Sequence, residues 1–343
     1  MKIGSITLQE NIALKNLHTF GIEVYTQYFI ELTNKEEIEE CATHFDEIPK
    51  PIYFLGGGAN TLFIDDYKGT VIHIANKGIS LIEESQDDVL LSVQAGEDWD
   101  EFVQFCVENE YYGIENLSAI PGQVGTTPIQ NIGAYGVEAK NSIEEVFYTD
   151  LEDGQTYVLN QDECAFGYRD SIFKHDLKAK CIINEVVFRL SKNGKINTDY
   201  GTIKDELKKR HIIQANIAQL SNTIREIRAS KLPDPKEIGN AGSFFKNPLV
   251  SKEKYILLKN EFPNIVAYPS DDKMKIAAAW MIDFLGWKGR EHKGAAVHQQ
   301  QALVLINKNN CTGKAVTELS QMIQQDVQKH FGILLETEVE FVS

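Results

Sequence analysis

Apolar and polar positions alternate with period two along Tyr28–Leu32, which predicts a strand with one buried face. Thr33-Asn34 followed by Lys35-Glu36-Glu37 reads as an N-cap and an acidic first turn, with Ile38 and Cys41 on the apolar face of the helix so opened. Pro51–Leu55 and Thr61–Ile64 predict short strands on either side of Gly56-Gly57-Gly58-Ala59-Asn60. Val71–Ile74 and Val89–Ala95 predict two more. Trp99, Phe102, Val103 and Cys106 recur at helical spacing over Trp99–Glu108, with Asp98 placed to cap them. Runs at Ser142–Thr149, Thr156–Leu159 and Ile182–Leu190 are strand-like, so this part of the chain reads as a β-rich α+β unit.

Past Asp199 the period changes. Thr202 is placed to cap a helix over Ile203–His211, and a second helix over Ile217–Ser230 stops at Lys231-Leu232-Pro233-Asp234-Pro235. Ile276, Ala279, Trp280, Ile282 and Phe284 form a stripe predicting a helix over Lys275–Leu285, closed by Gly286. Val297–Asn307 reads as a polar turn entering a buried strand, and Val316–Phe331 as a last helix. Leu334–Val342 then alternates as a strand with Glu336, Glu338 and Glu340 on one face, the pattern of a solvated edge.

Ile120–Gly136, IPGQVGTTPIQNIGAYG, fits neither period. Its glycines (Gly122, Gly125, Gly133, Gly136) and prolines oppose helix and strand alike. Almost uncharged and rather apolar, it is expected to be buried and to cradle a ligand, offering backbone N–H groups with the Thr126 and Thr127 hydroxyls beside them. The glycine triplet Gly56-Gly57-Gly58 implies a tight turn or a close backbone approach. It is not the G-x-G-x-x-G that opens a Rossmann helix.

A chain of 343 residues exceeds one ordinary core and implies two or three domains. No run of about 18 apolar residues and no signal peptide is present. Five scattered cysteines without a C-x-x-C pair imply free thiols in a reducing cytoplasm rather than a disulfide framework or zinc site. A net charge of −16 argues against nucleic acid and leaves small anions open. The eight histidines are dispersed, and neither a G-x-S-x-G elbow nor a P-loop occurs. Two glycine loops without those signatures suit a large phosphate-bearing cofactor whose own chemistry dominates. In Gly239–Pro248, the Gly-Ser-Phe-Phe sequence admits two readings: a Ser243 hydroxyl in a partly dry pocket, or a turn whose phenylalanines enter the core.

Eight stretches, in order, carry a resemblance: Thr19–Ile22, Leu55–Asn60, Ile120–Gly136, Tyr168–Phe173, Lys231–Pro235, Gly239–Pro248, Ala295–Asn307 and Leu335–Phe341. With these the chain resembles the UDP-N-acetylenolpyruvoylglucosamine reductase (MurB) family of peptidoglycan synthesis, in its long form with a Tyr-bearing loop. The resemblance implies an α+β fold, with a two-part FAD-binding domain of the vanillyl-alcohol-oxidase (PCMH) type and a C-terminal α+β substrate-binding domain. The implied boundaries are 1–78 (completed by strand 331–343), 79–222 and 223–330. It implies non-covalent FAD, NADPH as reductant, and reduction of the enolpyruvyl group of a UDP sugar, by a cytoplasmic monomer with no membrane or nucleic-acid partner.

The same resemblance assigns residues. Ser243 matches the proton donor, and Arg169 and Glu338 the groups that stabilise an enolic intermediate. Tyr200, Lys231, Asn247 and Gln301, with Tyr168, match substrate contacts, Lys231 near the diphosphate. The cofactor is implied at Gly56, Gly57, Gly58, Ala59 and Asn60, and at Pro121, Gly122, Gly125, Thr126, Thr127, Gln130, Gly133, Ala134 and Tyr135, the last also a substrate-pocket candidate. Ala59 stands where the family more often has serine, leaving a backbone cradle without that hydroxyl. Two rivals are an FAD oxidase of the same superfamily and a non-catalytic nucleotide-sugar sensor. Oxidases of that kind often tether the flavin through histidine, and neither glycine loop has one. A sensor has no need of Ser243, Arg169 and Glu338 together.

Overall fold

The computed structural model describes residues 2–343. The chain separates into two compact units: residues 1–12, 26–57 and 68–230 form the first, and residues 13–25, 58–67 and 231–343 the second. Among the described residues there are seven α-helices: α1 (Lys35–Thr43), α2 (Trp99–Glu108), α3 (Gly201–Lys209), α4 (Ile217–Lys231), α5 (Lys252–Glu261), α6 (Ala278–Phe284) and α7 (Gly313–Phe331).

In the first unit, one sheet has the order Gln9–Ala13, Tyr25–Leu32, Tyr67–Ile74, Ile52–Leu55. Its last pair is parallel, with Ile52 opposite Thr70 and Leu55 opposite His73, so Leu55 delivers the chain into the glycine triplet at a sheet end. The second sheet is an antiparallel set of five: Thr156–Asn160, Ile143–Asp150, Cys181–Ser191, Asp88–Gln94, Ile79–Glu84. Long runs with one buried face specify its register, and short turns join Ile79–Glu84 to Asp88–Gln94 and Ile143–Asp150 to Thr156–Asn160. Asp98 caps α2 by accepting from Glu101 N at 3.0 Å. The apolar face of α2 then closes the core, where the rings of Trp99, Phe102 and Phe188 stand 5.0–5.9 Å apart. Burying each such ring contributes roughly 1.5–3 kcal/mol. Leu220, Ile224 and Ile227 of α4 pack on Ile203 and Leu207 of α3 in a smaller cluster that also receives Tyr135.

The second unit holds a four-stranded sheet (Asn240–Ser243, Val304–Asn307, Ala295–Val297, Glu291–His292) and a three-stranded one (Leu249–Ser251, Lys273–Ile276, Ala267–Ser270). Glu340–Val342 runs parallel to Thr61–Phe63.

Three predicted elements change. Lys275–Leu285 is not one helix: Lys273–Ile276 pairs on both sides as a strand, and only α6 is helical, because the stripe of apolar residues continues across the junction and hides it. Thr202 lies inside α3, whose N-cap is Tyr200 with no side-chain cap. Leu334–Val342 is a strand only over its last three residues, because Glu336 and Glu338 bond instead to the chain around Phe244.

Candidate active site

In the first unit the two glycine loops meet. A Cβ on Gly57 would lie 3.0 Å from Gly122 Cα and 3.3 Å from Gln123 N, so a larger residue would force the two backbones apart by a few tenths of an ångström. Gly56 faces side chains instead, where a Cβ would lie 2.6 Å from Thr126 Cγ2 and 3.1 Å from Gln123 Oε1. Within residues 120–136, Val124, Gly125, Thr127, Pro128, Asn131 and Ile132 are buried, Pro121 and Gly136 are exposed, and the others are half-buried. The loop is more structured than its composition suggests. Val124–Thr126 is a 3-10 turn, and Gly133–Ala134 pairs with Val137–Glu138 as a small hairpin. Its donors are also more occupied than expected: Val124 N donates to Glu97 O, Gly125 N to Ala95 O, and the Thr126 and Thr127 amides to Gln123 O and Val124 O. Both threonine hydroxyls donate at 2.7 Å to those last two carbonyls, and Thr127 is buried. Burial explains this, since each enclosed N–H must find a partner. The Gly57 N–H, by contrast, makes no hydrogen bond among the described residues. Ile129 and Gly133 accept through their carbonyls from Ser171 and Arg169, and the Asn131 side chain donates to Gly167 O of the turn Gly167–Asp170.

Arg169 sits in that turn at φ 55°, a left-handed conformation that an arginine adopts at a penalty of about 1–2 kcal/mol. Its Nη2 donates to Gly133 O at 2.8 Å, and Lys174 Nζ donates to its carbonyl at 3.0 Å. Tyr168, next to it, is exposed, with the Arg169 guanidinium 5.9 Å from its ring. His175 bonds both oxygens of Asp170 at 2.9 Å and holds that carboxyl below its ordinary range. Tyr135, at φ 49°, meets Tyr200 edge to face at 5.5 Å between ring centres. Burial raises the Tyr135 hydroxyl's pKa, while Arg228 opposes the rise.

Arg228 is a site feature that sequence reasoning missed. It lies on α4, donates from Nε to Ala119 O at 3.1 Å and hydrogen-bonds Tyr135. Burial pushes its guanidinium below the ordinary value, Tyr135 and Asp100 pull it back, and Arg169 adds to the lowering. Arg225 on the same helix grips Asp100 of α2 through two hydrogen bonds of 2.5 and 2.8 Å. A helix carrying two arginines beside Glu226 and Lys231 reads as a solvated face, so no local signal marks Arg228.

The second unit carries the other assigned residues. Phe244 and Phe245 enter the core, as the second of the two readings has it, while Ser243 is exposed rather than held in a partly dry pocket. Between Asn240, opposite Ile306, and Ser243, opposite Val304, the strand bulges at Gly242, whose φ is 66°. A bulge of this kind re-aims the next side chain. Buried Asn240 supports it, accepting from Gly242 N at 2.9 Å. Glu338 is brought to the same turn: its N–H donates to Phe244 O at 2.9 Å, and Asn60 Nδ2 donates to its carbonyl at 2.9 Å. Glu336 is exposed beside Lys246, and Glu340 is exposed on the short strand. Gly58, at φ 59°, packs against the backbone of Leu17 and His18, where a Cβ would come within 2.2 Å of Leu17 O. The Ala59 N–H makes no hydrogen bond among the described residues. Asn247 Oδ1 accepts from Ala278 N at 2.9 Å, so the start of α6 orients its amide. Gln301 Oε1 accepts from Leu303 N, and Lys231 is exposed at the end of α4.

Residues 26–160 match the profile of the FAD binding domain family, and residues 234–342 match that of the C-terminal domain of UDP-N-acetylenolpyruvoylglucosamine reductase. Fold and glycine cradle thus define a flavoprotein of α+β class, with an FAD-binding domain and a separate C-terminal domain. The chain is 43% identical over 98% of its length to the UDP-N-acetylenolpyruvoylglucosamine reductase of Flavobacterium johnsoniae, covering 99% of that protein. It is 42% identical to that of Bacteroides fragilis, covering 98% of this chain and 100% of the relative. A crystal structure of the Thermus caldophilus enzyme superposes with a TM-score of 0.68 at 22% identity, covering 98% of this chain and 100% of that one. The chain belongs to the UDP-N-acetylenolpyruvoylglucosamine reductase family. Its Gly57–Gly122 seam fits FAD, since a dinucleotide diphosphate needs backbone donors with no Cβ in the way. Among the described residues no helix is long and apolar enough to cross a membrane, and no cluster of metal ligands occurs.

Proposed function

We propose that this protein reduces the enolpyruvyl group of UDP-N-acetyl-3-O-(1-carboxyvinyl)-glucosamine to give UDP-N-acetylmuramate, with NADPH as reductant and FAD as cofactor. FAD, when bound, supplies the hydride through flavin N5. Addition to the substrate double bond leaves negative charge on the carbon beside the carboxylate, and the protein's task is to hold that charge and quench it. Arg169 holds the carboxylate, where a guanidinium can bond both oxygens. Glu338 stabilises the enolic intermediate. Ser243 gives its hydroxyl proton to the carbon: an alcohol is a weak acid, but a carbanion is a stronger base, so the transfer runs downhill.

Tyr200, Lys231, Asn247 and Gln301 contact the UDP and sugar portions, with Tyr135 and Tyr168 in the same pocket. The loops at 56–60 and 121–135 hold the cofactor. The enzyme is a cytoplasmic monomer, organised as 1–78 with 331–343, then 79–222, then 223–330; the two separate sheets of residues 9–74 and 79–191 support that division. One observation carries the reading. Ser243 stands exposed on a bulge whose next residue bonds the backbone of Glu338, so two residues distant in sequence share one turn.

Purified protein should be yellow, absorbing near about 450 nm as flavins do. With NADPH and the enolpyruvyl substrate it should form UDP-N-acetylmuramate mole for mole, measured by mass spectrometry. A colourless preparation that takes up no added FAD sinks the reading.

A further inference from the structure

We infer that Asn131 is a positioning residue for Arg169, acting through the carbonyl of Gly167. Three side chains join residues 129–133 to the following turn at alternate positions. Ser171 Oγ donates to Ile129 O at 2.6 Å, Asn131 Nδ2 to Gly167 O at 3.0 Å, and Arg169 Nη2 to Gly133 O at 2.8 Å. The central member is fully engaged. Asn131 is completely buried, its second Nδ2 proton goes to Glu138 Oε2 at 3.0 Å, and its Oδ1 accepts from Lys140 N at 3.1 Å. That set of partners settles which way the amide points, because the flipped amide would set its oxygen against a carbonyl and a carboxylate.

The turn it grips needs holding. Of the two bonds between its ends, Gly167 N donates to Asp170 O at 2.9 Å but Asp170 N reaches Gly167 O only at 3.4 Å, and Arg169 inside the turn has a positive φ that arginine does not favour. Asn131 has a positive φ of its own, 44°, which asparagine tolerates better than most residues. The two residues therefore clasp reciprocally: the asparagine pins the carbonyl two residues before the arginine, and the guanidinium returns to the carbonyl two residues after the asparagine. Loss of the Asn131 amide frees the turn to relax, and the guanidinium turns with it.

The inference rests on the reading of Arg169 as the group that holds the substrate carboxylate. Asn131→Gly keeps the backbone conformation and deletes the amide. Asn131→Asp keeps the volume but replaces the donor with a carboxylate, and serves equally if the glycine variant does not fold. Each holoenzyme is followed by stopped flow in two steps, bleaching by NADPH and recolouring by the enolpyruvyl substrate. Substrate affinity is titrated separately by perturbation of the flavin spectrum. The expected result is recolouring slowed at least tenfold more than bleaching, substrate bound at least tenfold more weakly, and Asn131→Gly/Arg169→Ala no slower than Arg169→Ala alone. Equal slowing of both steps, unchanged recolouring, or multiplying effects in the double variant overturns the inference. Wild-type recolouring by Arg169→Ala alone removes the role of Arg169, a failure of the underlying reading that this variant identifies by itself.

Discussion

Ser243, Glu338 and Arg169 differ in how their surroundings declare them. Glu338 shares its alternation with Glu336 and Glu340, and only the backbone bonds to Phe244 and from Asn60 single it out. Ser243 is set apart by the bulge at Gly242. Ser243→Ala should leave bleaching of the flavin by NADPH observable while slowing its reoxidation by substrate by roughly 10²–10⁴-fold, the worth of a positioned acid. Equal slowing of both half-reactions would remove the proton-donor role. Buried His18 offers a second test at this scale. Its Nε2 meets Ile22 O at 3.1 Å, and burial, opposed by that bond, lowers its pKa from the ordinary 6.5. The folded state thus prefers the neutral ring, while the unfolded chain takes up a proton near 6.5, so this contribution is present above that pH and is lost as pH falls below it. Denaturant midpoints should therefore fall between about pH 7.5 and about pH 5.5, and fall less in His18→Gln; an identical fall in both proteins refutes the assignment. The motifs around Ser243, Arg169 and Glu338 are what put those three forward. Arg228 and Asn131 were not legible. A helical arginine and a loop asparagine acquire their roles from Tyr135 and Gly167, which no local pattern connects to them.

Some elements whose stabilising partners are local were readable, although α5, capped by Ser251, was not. α1 and α2 begin where Asn34 and Asp98 accept from Glu37 N and Glu101 N, so an acceptor three residues ahead of a donor suffices to place a helix start. Four strands of the five-stranded sheet follow from their apolar runs, but its edge strand Ile79–Glu84 did not. The junction between Lys273–Ile276 and α6 was unreadable, because apolar residues serve a strand and a helix equally and pairing with Leu249–Ser251 decided the matter. The glycine loops belong to this scale too. Gly57→Ala puts a methyl 3.0 Å from Gly122 Cα, where backbone must yield, and should weaken FAD binding by tenfold or more, about 1.4 kcal/mol or above, measured by flavin fluorescence titration. Affinity equal to that of the wild type would show that the seam between the loops does not hold the cofactor.

Across the whole molecule, composition sets what the tertiary structure can do. All five cysteines are free, as their scatter implied. Burial pushes the thiols of Cys41, Cys164 and Cys181 up to about 12 and that of Cys311 to about 11, and Cys106 is also raised well above its ordinary value. A thiolate is the reactive form, so a disulfide reagent at about pH 8 should label the native protein slowly and all five thiols rapidly in denaturant. Rapid native labelling would mean that the cores open at low free energy. The charge of −16 coexists with buried or half-buried arginines at 169, 225 and 228 in the first unit, so net charge describes the surface, not the site.

By itself the sequence determined the α+β class, the longer strands, the starts of α1, α2 and α4, the thiol state, and, through its motifs, the family. These depend on periodicity, on caps within one turn, and on short stretches of chain. Only the tertiary structure decided which carbonyl Asn131 grips, that Gly57 lies on Gly122, and that Glu338 rather than its two neighbours shares the turn of Ser243. Each of those is a hydrogen bond or a close approach between residues tens of positions apart or more, and such pairings are set by how the sheets and loops close on one another.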